Sequence, residues 1–217
     1  IRRQEKKIRV REERTNALYQ LTRELSTATG VEEVVTIAKN DIKKYFNLNC
    51  RIILRNDEDK LEYTVYKNTN FNLSKNDTSV AEWTFHHSLK AGQYTDTLPS
   101  SKYTFYPLKG NQMNLGVIAI QLETEFTQGE EQFWEAFISQ ISGKFEREYL
   151  RNMAKQAFLL NESDKLYKTL FNSISHELRI PVATIMGASD SLISTDHSPE
   201  IIKELSSEIF SASKRLN

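Results

Sequence analysis

The sequence predicts an α+β fold, in which an antiparallel sheet with flanking helices is joined by a long helix to a dimerising antiparallel helical hairpin. Two observations predict it. First, the residues before and after the central region have helical periodicity. Second, four short runs rich in β-branched and aromatic residues are bounded by turn residues, as is typical of strands; they occupy 50–55, 61–67, 103–109 and 115–122.

The composition is that of a folded protein with balanced charge. Of 217 residues, 39% are hydrophobic, and 11 Phe, 9 Tyr and 2 Trp can supply a core. Lys plus Arg and Asp plus Glu number 29 each, so no overall field favours nucleic acid as a partner. The single cysteine, Cys50, excludes an internal disulfide and favours a reduced, cytoplasmic compartment. Because the chain starts at Ile1 and stops at Asn217 inside a helical pattern, we expect it to be a piece of a longer protein.

Residues 1–28 predict a long helix with a thin apolar stripe and a basic start. They contain neither Pro nor Gly, and seven basic residues fall among the first fourteen: Arg2, Arg3, Lys6, Lys7, Arg9, Arg11 and Arg14. Two interpretations are open. The charges form a solvated helical face interleaved with glutamates, or they form a juxtamembrane segment that lies against anionic lipid.

Residues 29–147 predict one α+β domain, which begins where Gly30 breaks the first helix. Its four strands are those given above. Its other predicted elements are helices at 31–46, at 77–92 (ending near Gly92) and from 126 onwards, with a hairpin around 110–114 that joins the last two strands.

Residues 148–217 predict a coiled-coil linker helix at 148–167 and a dimerisation domain at 168–217. Their heptad seam is apolar except for Asp164, a weak point that favours two-state behaviour. The seam comprises Leu150, Met153, Ala157, Leu160, Asp164, Tyr167, Phe171, Ile174, Leu178, Pro181, Ile185, Ala188 and Leu192.

The seam ends at a predicted break at 194–200, after which a second helix begins. Ser198 is the predicted N-cap and Pro199 the first helical residue. Two antiparallel helices joined by so short a connection pair through their apolar stripes, and two such hairpins form a four-helix bundle. We therefore expect a homodimer.

One histidine of this predicted helix has the features of a phosphoryl acceptor. With Phe171 at heptad position a and Ile174 at d, His176 falls at f and faces away from the bundle core. Imidazole is mostly neutral at pH 7 and is a nitrogen nucleophile. Pro181 removes a backbone donor and clashes with the carbonyl of Glu177, so we expect the helix to bend just past the histidine.

The stretch SISHELRIP, 173–181, resembles the phosphoacceptor box of sensor histidine kinases. The resemblance implies that His176 is phosphorylated from ATP, that Glu177 polarises or deprotonates its imidazole, and that a response-regulator receiver aspartate takes the phosphoryl group. It implies no cofactor in this chain, since ATP and magnesium belong to the parent's separate ATP-binding domain. Ile180 stands where the family usually has Thr or Asn, which predicts poor phosphatase activity.

The middle domain resembles a GAF domain, and more narrowly that of potassium-responsive sensor kinases. The resemblance rests on REERTNALYQLTRELS, AEWTFHHSLKAGQYTDTLPSSKYTFYPLK and LGVIAIQL. It implies a parent with transmembrane helices, of which this chain is a cytoplasmic region, and control of potassium-transport genes.

GAF folds often hold a small molecule between the sheet and the loops that cover it. The candidate ligand-pocket residues are Trp83, His87, Thr95, Asp96 and Thr97. The alternative is that the aromatic residues are core and that 95–99 is an ordered, hydrogen-bonded loop. His86 and His87 lack a third ligand, so no metal site is predicted.

These patterns leave three functions open. The leading one is a signalling module, in which the GAF domain controls a coiled-coil pair that presents His176. The second is a scaffold without catalysis, in which the coiled coil only dimerises a ligand-binding GAF domain. A cyclic-nucleotide enzyme with a GAF regulator is disfavoured because the sequence has no metal-ligand cluster.

Overall fold

The computed structural model describes residues 2–64, 71–194 and 196–216, which form two compact units: one up to Met153 and one from Ala154. The division of the sequence into four parts stays a prediction. The helices are α1 (Arg2–Thr27), α2 (Val31–Phe46), α3 (Lys75–His87), α4 (Gln128–Ser194) and α5 (Pro199–Arg215). The strands are β1 (Cys50–Arg55), β2 (Leu61–Glu62), β3 (Ala91–Gly92), β4 (Thr104–Lys109) and β5 (Asn114–Ile120).

The first unit contains a five-stranded sheet in the order β2-β1-β5-β4-β3, with every neighbouring pair antiparallel. The predicted hairpin is confirmed, since β4 pairs with β5 in a register that places Phe105 opposite Ala119. The central strand β5 is buried along most of its length. Both faces of the sheet therefore need a cover, and the predicted α+β class is confirmed.

One face of the sheet packs against α1, α2 and the first part of α4. Trp134, Phe137 and Ile141 of α4 are fully buried there. Phe46, at the end of α2, stacks on Phe133 with ring centroids 4.9 Å apart and meets Phe137 edge-on. Aromatic pairs in these geometries add to the burial term, so this cluster fixes α4 on the sheet.

The opposite face is covered by α3 and the chain that leads into it. Ile53, Val117 and Ala119 point to this side because strand residues alternate between the two faces. They meet Val80, Ala81 and Phe85 of α3, while Phe71 and Tyr103 stack with centroids 4.4 Å apart.

The predicted bounds of the helix at 77–92 are wrong. The helix starts at Lys75, because Ser74 is an N-cap whose hydroxyl accepts from the Asp77 amide while the Asp77 carboxylate accepts from the Ser74 amide. It ends at His87, where Ser88 adopts a left-handed conformation. Gly92 lies in β3 instead, with φ of 102° and no space for a Cβ beside the Tyr103 carbonyl.

Two other predictions are only partly covered by the described residues. Of the predicted strand at 61–67, Leu61 and Glu62 are strand, while 65–67 lie outside the described residues. The helix predicted at 1–28 is confirmed as α1, but the side chains of Arg2, Arg3, Lys6 and Lys7 also lie outside them.

The second unit contains the later part of α4, which remains helical through Pro181, and α5. The predicted N-cap Ser198 and first-turn Pro199 are confirmed. Ala188 of α4 and Ala212 of α5 are buried, whereas most other side chains of this unit are exposed.

Truncation of a core aromatic residue of α4 will destabilise the first unit. Phe137→Ala should lower the free energy of unfolding by about 3–5 kcal/mol, because it leaves a cavity between α2 and the sheet. Urea unfolding followed by tryptophan fluorescence measures this, since Trp83 and Trp134 both belong to the first unit. The control Tyr19→Ala removes a ring that is 64% exposed on α1 and should change stability little; equal losses would contradict the assigned core.

Candidate functional sites

His176 is an exposed residue in the helical interior of α4. Glu177 is also exposed, and adjacent helical residues do not face each other. Within the described ranges, no hydrogen bond, ion pair or ring contact engages either side chain. The imidazole is therefore accessible to a large reagent, and a group that acts with it must come from another chain or domain or from a rotation of Glu177.

The other three histidines each have a described contact. His86 Nε2 lies 3.8 Å from Glu82, which is an ion pair only when the imidazole is protonated. His87 stacks on Trp83, with centroids 4.2 Å apart and its Nδ1 2.9 Å from the Trp83 carbonyl oxygen. His197 Nε2 is 3.0 Å from the carbonyl oxygen of Ser191. In the described part of the chain, His176 differs from the other histidines in lacking such a contact.

The heptad seam is exposed near His176 and covered farther along α4. Leu160, Tyr167 and Phe171 are 70–74% exposed, while Pro181 and Ala188 are buried. A row of large apolar side chains this exposed is typical of a surface that a partner covers.

The five candidate pocket residues lie in two separate local arrangements. Trp83 and His87 form the stacked pair on α3. Thr95 Oγ1 lies 2.7 Å from the Gly92 carbonyl oxygen and 2.8 Å from that of Thr97. Asp96 is exposed. The described contacts do not join the two arrangements, and the ligand pocket stays a prediction.

The packing of this region favours the alternative, an ordered core. Phe85 and Tyr103 are buried against the sheet, and the turn after β3 is held by its own hydrogen bonds. A cavity of about 170 Å³ lies elsewhere, beside Val31, Arg55 and Tyr149, and another of about 440 Å³ beside Ser88, Tyr106 and Glu135.

Arg51 is a buried charge on the α3-covered face that the sequence did not single out. Its guanidinium donates to the carbonyl oxygens of Phe71 at 3.0 Å and Tyr63 at 2.7 Å. It therefore ties the chain on either side of 65–70 to β1. An arginine within a strand gives no sequence signal for such a role.

Metal and thiol chemistry find no support in the described structure. Across 2–64, 71–194 and 196–216, no group of three or more His, Cys, Asp or Glu side chains is placed to hold a metal ion. Cys50 is buried, and burial raises the pKa of its thiol to about 12. The thiol is thus protonated at neutral pH.

Three buried charges of α4 were also missed from the sequence. Lys144 and Glu148, one turn apart, form an ion pair of 2.9 Å between side chains that are 9% and 6% exposed. Glu146 accepts the amides of Asn111 and Gln112, at 2.9 and 3.0 Å, in the β4–β5 turn. The available signal was the Lys–Glu spacing of four, which occurs on many exposed helices and does not reveal burial.

The five-stranded sheet, with helices on both faces, has the GAF fold. The crystal structure of the GAF domain of the potassium sensor histidine kinase KdpD from Escherichia coli matches with a TM-score of 0.57 and 21% identity. The match covers 64% of this chain and 96% of that one. No protein-family model matches the chain.

Similarity to KdpD sensor proteins extends beyond the GAF domain. The chain is 26% identical over 195 residues to sensor protein KdpD of Escherichia coli and 30% identical over 191 residues to that of Clostridium acetobutylicum. These matches cover 88% and 85% of the chain, which spans about a fifth of the length of each relative (22% and 21%). The resemblance seen in the sequence is confirmed. None of the described helices is both long and apolar enough to traverse a bilayer.

The buried carboxylates of α4 will make the first unit sensitive to acid. Hydrogen bonds from the Asn111 and Gln112 amides hold the pKa of Glu146 below its ordinary 4.5, and the Lys144 ammonium does the same for Glu148. The unfolded chain therefore takes up these protons first as the pH falls. The stability that both groups contribute is complete above about pH 4.5 and is lost as the pH falls through their folded-state pKa values.

Urea unfolding at a series of pH values from about 6 to 3 measures this loss. Glu146→Gln should flatten part of the pH dependence, whereas Glu32→Gln, at an exposed position of α2, should not. A Glu146→Gln profile parallel to that of the unchanged chain would contradict the role of this carboxylate.

Proposed function

We propose that this chain is the GAF and phosphoacceptor region of a two-component sensor histidine kinase, phosphorylated on His176. The observation that carries the proposal is the SISHELRIP box, whose histidine is exposed on α4 and makes no side-chain contact with the described residues. The chain that contains the box is similar to KdpD sensor proteins over at least 85% of its length. By the same similarity, the parent responds to potassium and controls potassium-transport genes, and the chain is a cytoplasmic region of a membrane-bound protein.

The chemistry proposed for His176 is a direct phosphoryl transfer. One imidazole nitrogen attacks the γ-phosphorus of ATP, the bond to the bridging oxygen breaks, and ADP leaves. Glu177 accepts the proton of the other imidazole nitrogen as positive charge develops on the ring. In this proposal, ATP and magnesium are held by the parent's ATP-binding domain.

The phosphoryl group then passes to an aspartate on the receiver domain of a response regulator. The exposed position of His176 accommodates both partners in turn. Ile180 is 54% exposed and presents no hydrogen-bonding group, so it cannot orient a water against the phosphorylated regulator. Phosphotransfer is therefore favoured over dephosphorylation.

The exposed seam supports a homodimer as the working form. Leu160, Tyr167 and Phe171 lie at a and d positions and need an apolar partner, which a second copy supplies with the same heptad register. The packed α3 face favours a GAF domain that relays a signal over one that binds a small molecule. The scaffold alternative shares the dimer but lacks the phosphohistidine.

Phosphorylation of the full-length parent with radiolabelled ATP and magnesium tests the proposal. The unchanged protein should carry an acid-labile, base-stable phosphate, and His176→Gln should abolish it. Glu177→Gln should slow labelling by about 100-fold, because it removes the proton acceptor.

The control His86→Gln changes a histidine that is 63% exposed on α3 and should leave labelling intact. Acid-labile phosphate that persists in His176→Gln would rule out this residue as the acceptor. A full-length protein that never becomes labelled would favour the scaffold.

The dimer has a test of its own. Phe171→Glu places a charge in the seam and should weaken self-association of this chain by about 100-fold or more, because the charge loses water in the bundle. Analytical ultracentrifugation measures the change. The control Asn172→Glu adds the same charge at an exposed neighbouring position off the seam and should remain dimeric. A monomeric unchanged chain would contradict the proposed pairing.

A further inference from the structure

The buried ion pair of α4 binds both ends of the junction between α1 and α2. Lys144 Nζ donates to the carbonyl oxygen of Ala28 at 2.7 Å. Glu148 Oε2 accepts the amide of Gly30 at 3.1 Å. The two side chains are also joined to each other at 2.9 Å. The three-residue junction 28–30 is therefore held by side chains one helical turn apart on α4.

These contacts add partners at two helix ends that local side chains satisfy only in part, since Thr27 donates to the Glu24 carbonyl oxygen and Glu33 accepts the Thr29 amide. The last carbonyls of a helix and the first amides of the next have no partner within the helix, and they favour a cation and an anion respectively. Lys144 supplies the cation at the end of α1. Gly30, the N-cap of α2, has no side chain to accept a hydrogen bond, and Glu148 accepts its amide, adding an anion to Glu32 and Glu33 of the first turn.

The same segment of α4 is tied to the sheet by Glu146. Its carboxylate accepts two amides of the β4–β5 turn, and a Cβ on Gly110 would overlap this carboxylate. This segment of α4 thus contacts the α1–α2 junction through Lys144 and Glu148. It contacts the β4–β5 hairpin through Glu146, which lies between them in sequence.

We propose that Lys144 and Glu148 form a clamp that makes the α1–α2 junction and α4 move as one body. A displacement of α1 then reaches α4 through this clamp, without a ligand in the GAF domain. The inference rests on the proposed function for its biological output, because α4 is also the helix that bears His176. The mechanical coupling itself does not depend on phosphorylation.

The test removes the clamp while avoiding an uncompensated buried charge. In Lys144→Met/Glu148→Leu both charges are replaced by apolar groups, which folded proteins often tolerate, whereas either single change leaves one charge buried. The matched control is Lys60→Met/Glu58→Leu, at a pair whose side chains are 73% and 72% exposed. Amide hydrogen exchange of this 217-residue chain is compared between these variants and the unchanged chain.

Amides of residues 28–34 should exchange about tenfold faster or more in the clamp variant, while those of β4 and β5 keep their protection. The control should match the unchanged chain. Unaltered exchange at 28–34, or an equal rise throughout the unit, would overturn the clamp, because the second result reports only a general loss of stability.

A second arm uses the full-length parent, with phosphate on His176 measured at high and low potassium. The clamp variant should retain the phosphohistidine. Its amount should no longer depend on potassium, so that the ratio of phosphate at high potassium to phosphate at low potassium falls close to one. A local rise in exchange with an unchanged ratio would overturn the relay through this clamp. If the unchanged parent carries no phosphohistidine, the proposed function fails, and the exchange data alone decide the mechanical coupling.

Discussion

Burial of the apolar face of α4 against the sheet is the constraint on which the rest of the first unit depends. Trp134, Phe137 and Ile141 fill the space that α1 and α2 close from outside. With this face packed, Lys144, Glu146 and Glu148, one to two turns later on α4, lie at the edge of the core. There they form hydrogen bonds with backbone groups of the α1–α2 junction and the β4–β5 turn. The hydrogen bonds and the ion pair of these charges offset the free-energy cost of burying them, so their burial is compatible with the packing of α4 on the sheet.

The two faces of the sheet serve different purposes. The α4 side unites the incoming helix, the outgoing helix and the central hairpin in one core. The α3 side is packed with Phe71, Phe85 and Tyr103, and Arg51 fastens the chain that precedes α3. Because a domain built this way is densely packed where its helices enter and leave, we expect it to be rigid there. Such rigidity suits a part that passes on a displacement, since a soft core would absorb it.

Much of this organisation could be predicted from the sequence, and the failures have physical reasons. The strand 50–55, the helix 31–46 and the hairpin followed from strong periodicity and turn residues. The start of α3 was missed because Ser74 and Asp77 form a capping box within a polar stretch, and such a composition predicts a loop. The buried charges near residue 146 were missed because their partners are backbone groups more than thirty residues away in sequence. The periodicity of side chains along a helix carries no information about such distant partners.

The solitary, buried cysteine has a practical consequence. Cys50 is held in a central core with its thiol protonated, so thiol-reactive probes will not modify it in the folded protein. Cysteines introduced on the outer surfaces of α1 and α4 would then be the sole targets for spin labels or fluorophores, with the natural residue left in place. The chain is thus already suited to distance measurements that follow the movement of its helices in solution.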